Sequence, residues 1–305
     1  MDYRKRFVVE PGTKVRLGKI DPGFKDKHKS HDTAKEEIQK HVERLAKLQY
    51  LLYADGNQSL LVVLQALDAG GKDGVVRHVF GAMNPQGTWV IGFKQPNKLE
   101  AAHDFAWRAH LRTPAKGEVV IFNRSHYEDV LVVRVHKLVP EPVWSKRYEL
   151  INDFEKMLHE NGTRILKFYL HISPEEQLER FKRRLDDPTR HWKISETDYS
   201  ERELWSDYIE AFEDAMERTS TKHAPWYVIP SNHKWFRNLA ISEIVADTME
   251  DMDLKLPPSQ VDIAEISRKF HAAAVQQAQR GRKPTKAYRR EKGRVKSATG
   301  KKELL

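Results

Sequence analysis

Apolar residues recur along the chain with two alternating signatures. Short continuous apolar runs, SLLVVLQA (59–66), TWVIGF (88–93), GEVVIF (117–122), TRILKFYLHI (163–172) and WYVI (226–229), read as strands buried on both faces. Between them lie longer segments with apolar positions at helical spacing: 32–54, 74–83, 98–110, 142–160, 173–185, 201–219 and 233–253. Asp55-Gly56 stops the first helix and Pro85 the second, while Ser173, Pro174 and Glu176 give the fifth a capping-box start. Strands alternating with helices predict an α/β fold, a mostly parallel five-stranded sheet covered on both faces. Residues 1–31, with KIDPGFKDKHKSHD, are expected to form an irregular arm, residues 32–255 the folded domain and 256–305 a tail.

The first predicted strand runs into QALDAGGKDG (65–74). This stretch keeps the spacing of a phosphate-binding loop, G-x-x-x-x-G-K-[ST], but has Ala66 for the first glycine and Asp73 for the hydroxyl. Gly70, Gly71 and Gly74 leave room for backbone N–H groups to approach phosphate, and Lys72 sets a point charge beside them. In the usual loop the hydroxyl ligates Mg2+, and Asp73 and Asp68 are hard oxygen ligands for the same task. The plain alternative is an ordinary turn with chance glycines.

VVIFNRSHYEDVLVVRV (119–135) masses Asn123, Arg124, Glu128, Asp129 and Arg134 after a strand, at the edge where such sheets hold ligands. A carboxylate there would hold a metal, and Arg124 and Arg134 would neutralise charge on a moving phosphoryl group. Solvated charges at a helix start are the alternative. In ERFKRRLDDPTRHWK (179–193), Arg180 and Arg184 share a helix face, and Arg190 and Lys193 follow the break at Asp187-Pro188. This reads as a lid over about 179–200, or as a solvated basic helix. His103, His110, His126 and His136 are too loosely spaced for a metal site, and Ser125 lacks the histidine partner of a hydrolase triad.

Composition narrows these readings. The 305 residues include no cysteine, which excludes disulfides, thiolate zinc sites and cysteine nucleophiles and suits a reducing cytoplasm. No apolar run reaches the roughly 18 residues of a membrane span. The start, MDYRKRFVVE, has no secretory pattern, so a cytoplasmic protein without membrane contact is expected. The net charge of +9 is uneven: residues 268–305 hold thirteen Lys/Arg against Glu291 and Glu303, or +11, which leaves −2 for residues 1–267. Such a tail is expected to be disordered or transiently helical and to attract polyanions.

Taken together, LQALDAGGKDG, FNRSHYEDVLVVRV, LDDPTRHWK and TSTKHAPWYVIPSNHKWFRN resemble the family-2 polyphosphate kinases over about residues 32–255. The FNRSHYEDV wording resembles the class III subgroup, which acts on nucleoside mono- and diphosphates. The resemblance implies a P-loop kinase-like three-layer fold with a helical lid and a homo-oligomer, dimer or tetramer. It also implies reversible transfer of the terminal phosphoryl of inorganic polyphosphate to AMP, ADP, GMP or GDP, with Mg2+ or in its place Mn2+. By position it matches Asp68 to the aspartate that organises Mg2+, Lys72 to a phosphate contact, Arg124 to the arginine after the second motif and Asp129 to its acidic partner. Arg180, Arg184 and Lys193 match the basic lid. With the residue-level reading, this assigns catalysis to Asp68, Lys72, Arg124, Asp129 and Arg184, and metal binding to Asp68, Asp73 and Asp129. Phosphate binding falls to Gly70, Gly71, Lys72, Asp73, Gly74, Arg134, Arg180, Arg190 and Lys193. Many relatives carry Asp where this chain has Asn123, so Glu128 or Asp129 is expected to supply the missing carboxylate. Asp104, Arg108, Asn123 and Glu128 are candidates for seating the acceptor. Because a nucleotide phosphate is ionised near neutral pH, no general base is required. Two rivals remain at this level, an ATP-dependent nucleotide kinase on the same fold and a non-catalytic polyanion-binding protein.

Overall fold

The computed structural model describes residues 1–282. The chain divides into two units, Met1–Leu256 and Pro257–Leu305. In the first, Tyr3–Phe7 (α1) and Val8–Val9 (β1) lead into His31–Asp55 (α2), Ser59–Gln65 (β2), Lys72–His78 (α3) and Thr88–Gly92 (β3). Lys98–Ala101 (α4), Trp107–His110 (α5), Val119–Asn123 (β4), Val132–Val135 (α6), Glu141–Trp144 (α7), Arg147–Glu160 (α8) and Thr163–His171 (β5) follow. Pro174–Leu185 (α9), Thr197–Glu203 (α10), Trp205–Thr219 (α11), Trp226–Pro230 (β6) and Lys234–Glu250 (α12) complete the unit.

The sheet order is β1-β6-β5-β2-β4-β3, parallel throughout except for β1 against β6. β2 lies between β4 and β5, so the chain leaves its carboxyl end at the point where the order of connection reverses, the place where open α/β sheets bind ligands. Alternation along β2 fills two cores. Leu60, Val62 and Leu64 pack with Leu45, Val75 and Leu239 of α2, α3 and α12. Leu61 and Val63 pack with Ile151, Phe154 and Phe212 of α8 and α11. Three layers result, because every β2 side chain is buried and both faces need cover.

The sheet has six strands where the pattern predicts five. The sixth, β1, comes from the arm expected to be irregular, with Val8 opposite Tyr227. Tyr3, Phe7, Val9 and Leu17 are buried, and the Tyr3 ring meets Phe236 edge-on at 5.6 Å. A two-residue strand carries no periodic signal of its own. The helix expected over 98–110 is two short ones. Asn97 and Glu100 cap the first reciprocally, and the Asp104 carboxylate accepts from the Ala106 N–H at 3.0 Å, opening the break. Residues 142–160 likewise divide into α7 and α8. Ser173 caps α9 by accepting from the Glu176 N–H at 3.2 Å, but the Glu176 carboxylate turns to Arg180, so only half of the expected box forms.

In the second unit Ile263–Arg282 forms a helix (α13), a firmer structure than the expected disorder or transient helix. Most of the basic run falls on 283–305, outside the described residues. No described helix is long and apolar enough to cross a membrane.

Candidate active site

The loop leaving β2 turns through two left-handed residues, Ala69 at φ 58° and Gly71 at φ 104°. At Gly70 a Cβ would come within 2.4 Å of the Ala66 methyl, so the close packing missing a glycine at position 66 is supplied at position 70. Lys72 opens α3 with its ammonium buried and donating to the Ala66 carbonyl at 2.9 Å. Burial, and then the Arg124 guanidinium, push Lys72 down to about 8, against the upward pull of Asp68, Glu128 and Asp73.

In front of the loop stands Arg124, held at φ 63° with its N–H on the Leu64 carbonyl. A non-glycine residue in this region is strained, and here it aims the side chain back at the loop. One Nη donates to Asp68 at 2.7 Å and the other faces Glu128 at 3.5 Å. Two carboxylates thus converge on one guanidinium. Glu128 is therefore the acid that shares Arg124 with Asp68. Asn123 donates to Asp73 at 2.9 Å, and Lys193 of the lid reaches the other Asp73 oxygen at 3.2 Å. Burial alone would raise the Asp73 carboxyl, but these two bonds and the nearby lysines hold it below its usual value.

Sequence reasoning passed over several groups here. Gln177 donates to the Asp68 carbonyl at 2.9 Å, and Gln65, Glu201 and Tyr208 line the same cleft. The Tyr208 hydroxyl donates to Glu201 at 2.6 Å, and burial with that carboxylate drives the phenol upward. Arg237 of α12 lies where side chains at Gly71 and Gly74 would be. Only its place in the quoted SNHKWFRN stretch marked it, and no spacing rule connects it to the loop.

Several expected residues do other work. Arg180 is buried behind the loop, with Nη1 on the Ala69 and Gly70 carbonyls at 2.8 and 2.9 Å, Nη2 on Ser231 and Nε on Glu176. Its donors are engaged, so it braces the loop instead of offering a free phosphate contact. Asp129 turns to Arg147 at 3.1 Å and Arg108 at 3.6 Å, and burial outweighs both arginines to raise its carboxyl. Its carboxylate thus faces these two arginines, while Glu128 faces Arg124. Arg134 pairs with Asp214 and Glu210, both at 2.7 Å, and lies over the Trp144 ring, away from the loop. Arg190 pairs with Asp187 at 2.7 Å on the surface. Arg184 ties the lid together through the Lys193 carbonyl at 2.9 Å and Asp198 at 3.5 Å. Arg108 is buried beside Asp129 and donates to the Lys94 carbonyl at 2.6 Å, whereas Asp104 is exposed and serves the local turn.

A separate cluster, Glu37, His41 and Glu243, has ligand atoms close enough for a metal ion. Arg44 donates to His41 Nδ1 at 2.7 Å, and burial with Arg44 keeps the imidazole neutral, so its proton sits on Nε2 toward Glu243. The Glu243 carboxylate lies 3.6 Å from that nitrogen, beyond hydrogen-bond distance.

A parallel sheet of order β3-β4-β2-β5-β6, a glycine turn and lysine at the end of its central strand and a basic segment reaching that turn define a P-loop phosphotransferase of the kinase type. The profile of the family described as Polyphosphate kinase 2 (PPK2) matches residues 28–257. The chain belongs to this family and is a phosphotransferase. It is similar to the "AMP/ADP-polyphosphate phosphotransferase" of Meiothermus ruber, 50% identical over 263 residues, 86% of this chain and 98% of the relative. An "ADP-polyphosphate phosphotransferase" of Rhodopseudomonas palustris is 44% identical over 83% of this chain and 92% of its own length. Among solved structures, polyphosphate kinase 2 from Arthrobacter aurescens aligns with a TM-score of 0.84 at 40% identity, covering 90% of this chain and 97% of that one.

Proposed function

We propose that this chain moves the terminal phosphoryl group of inorganic polyphosphate reversibly onto AMP and ADP, and onto GMP and GDP, as a Mg2+-dependent cytoplasmic homo-oligomer. The observation that carries the reading is the meeting of Lys72 with the Asp68–Arg124–Glu128 group at the end of β2. The name of the Meiothermus ruber relative, matched over 98% of its length, supports polyphosphate as donor and AMP and ADP as acceptors. Guanine acceptors and self-association rest on the resemblance to the family, with FNRSHYEDV similar to the subgroup acting on mono- and diphosphates.

The donor set fits Mg2+. Asp68, Asp73 and Glu128 offer hard carboxylate oxygens without a competing nitrogen ligand, and phosphate oxygens complete such a shell. Asp68 and Asp73 would hold the ion, with Glu128 at hand beside Asp68, and bound Mg2+ supplies charge neutralisation between the two anionic reactants. Lys72 bridges donor phosphate oxygens, and the loop N–H groups fix the donor in line. Arg124, braced by two carboxylates, faces the charge that spreads over the transferred group. Lys193 carries the lid to Asp73 and shields the site from water. The acceptor oxygen is already ionised, so no side chain has to take a proton.

The test incubates purified protein with AMP or ADP and either polyphosphate or ATP, with Mg2+ present or chelated. Product from polyphosphate that vanishes on chelation is expected. Turnover with ATP and none with polyphosphate would establish the nucleotide-kinase rival instead.

A further inference from the structure

Behind the loop sits a cation with no counter-charge among the described residues. The Arg237 side chain is 1% exposed, yet among the described residues its hydrogen bonds go only from Nε and Nη2 to Asn238 Oδ1 of its own helix, at 3.1 and 2.8 Å. Its Nη1 has no partner at all among the described residues. A Cβ on Gly71 would meet that Nη1 at 2.1 Å, and one on Gly74 would meet Nη2 at 2.9 Å, so the guanidinium is pressed against the turn that leads into Lys72. The neighbouring charge has the same sign: Arg180 Nη1 is 3.4 Å from the same Gly71 position. Burial, and then Arg180, push Arg237 down to about 9. Lys234, one turn earlier on α12, is lowered by burial and by Arg180, Arg183 and Arg237. A buried arginine in such company is strongly destabilising unless an anion arrives.

We propose that Arg237 is a positioning residue for the phosphate loop: its uncompensated charge against Gly71 and Gly74 is balanced by the polyphosphate seated in the loop and thereby sets the affinity for that donor. This inference rests on the function proposed above. Arg180 cannot take the part, since Glu176 and four carbonyl contacts occupy its donors. The charge of Arg237 acts on donor phosphates alike before and during transfer, so it belongs to donor binding and leaves the chemical step largely to Lys72 and Arg124.

Two variants of the full chain test this, Arg237→Met and the nearly isosteric Asn238→Asp, which sets a carboxylate on the existing Arg237 contact. Melting is followed in phosphate-free buffer and with tripolyphosphate, and KM and kcat are measured with long-chain polyphosphate. Both variants are expected to melt higher than the wild type without anion, because an unpaired buried charge is removed or paired. Both should lose most of the stabilisation by tripolyphosphate, with KM for polyphosphate raised about tenfold, kcat changed far less and KM for the nucleotide unchanged. Arg237→Lys should recover part of the donor affinity. A lower melting point without anion together with an unaltered KM for polyphosphate would make Arg237 a packing residue and overturn the proposal. Should Arg237→Met fail to fold, Asn238→Asp decides alone, since a wild-type KM and tripolyphosphate shift in it are fatal. Wild-type protein that shows no polyphosphate turnover defeats the function reading, whereas normal wild-type turnover with unaffected variants defeats only this inference.

Discussion

The two sides of the phosphate loop follow opposite electrostatic plans. In front, the carboxylates are all engaged: Asp68 and Glu128 share Arg124, Asp73 holds Asn123 and Lys193, and the Lys72 ammonium rests on the Ala66 carbonyl. Behind, Arg180 spends its donors on loop carbonyls and Arg237 has no counter-ion among the described residues. The front carboxylates can exchange partners when substrates enter, at modest net cost. The back is fixed and unbalanced, and only a polyanion in the loop balances it. Chemistry and affinity are therefore placed on different faces of one turn.

Removing the front charges should have the largest effect. Lys72→Ala and Asp68→Asn are expected to lower turnover on the order of a thousandfold with unchanged circular dichroism, because charge stabilisation of the transferred group is lost. Near-normal turnover in either would dissolve the distinction between the faces. Arg124→Lys keeps a charge but not the fork that spans Asp68 and Glu128, and a drop of about a hundredfold in kcat is expected.

The pH profile sharpens the comparison in the free enzyme. Lys72 stands at about 8, so it is charged below that pH and loses its proton above it. On the alkaline side kcat/KM for polyphosphate should fall with an apparent pKa near 8. The profile of kcat should break at higher pH, since bound phosphates favour the charged amine. A flat kcat/KM across that range would show that burial does not govern this lysine. The same shift has a sign for stability: the fold disfavours the charged amine, so Lys72 weighs on the native state below about 8 and ceases to do so as pH rises.

Smaller effects lie at the edges. Lys193→Ala breaks the contact between lid and loop, whose partner Asp73 is largely exposed, so about a tenfold loss in kcat/KM is expected with little change in melting. Arg134→Leu should leave turnover within about twofold while lowering stability by roughly 1 kcal/mol, from its ion pairs and its place over Trp144. A large catalytic loss there would return Arg134 to the phosphate site.

What was legible follows the distance along the chain over which each feature is encoded. The apolar runs and helical spacing report burial on one or both faces, and those local patterns gave five strands in their places. The loop was readable because Asp68, the glycines and Lys72 are neighbours in sequence and their chemistry depends on backbone they themselves form. The arm was misread because β1 owes its existence to Tyr227 and Trp226 at the far end of the chain.

The sequence alone determined the alternating α/β order, the phosphate turn with acids replacing the hydroxyl, and the family motifs. Tertiary structure alone decided which charges face that turn. Glu128 and Asp129 are adjacent, and the short helical turn after β4 sends one to Arg124 and the other to Arg108 and Arg147. Arg134 and Arg237 look alike in sequence, but packing of α11 claims the first for Asp214 while packing of α12 delivers the second to Gly71. Side-chain direction depends on the elements packed alongside, and those come from segments remote in the chain.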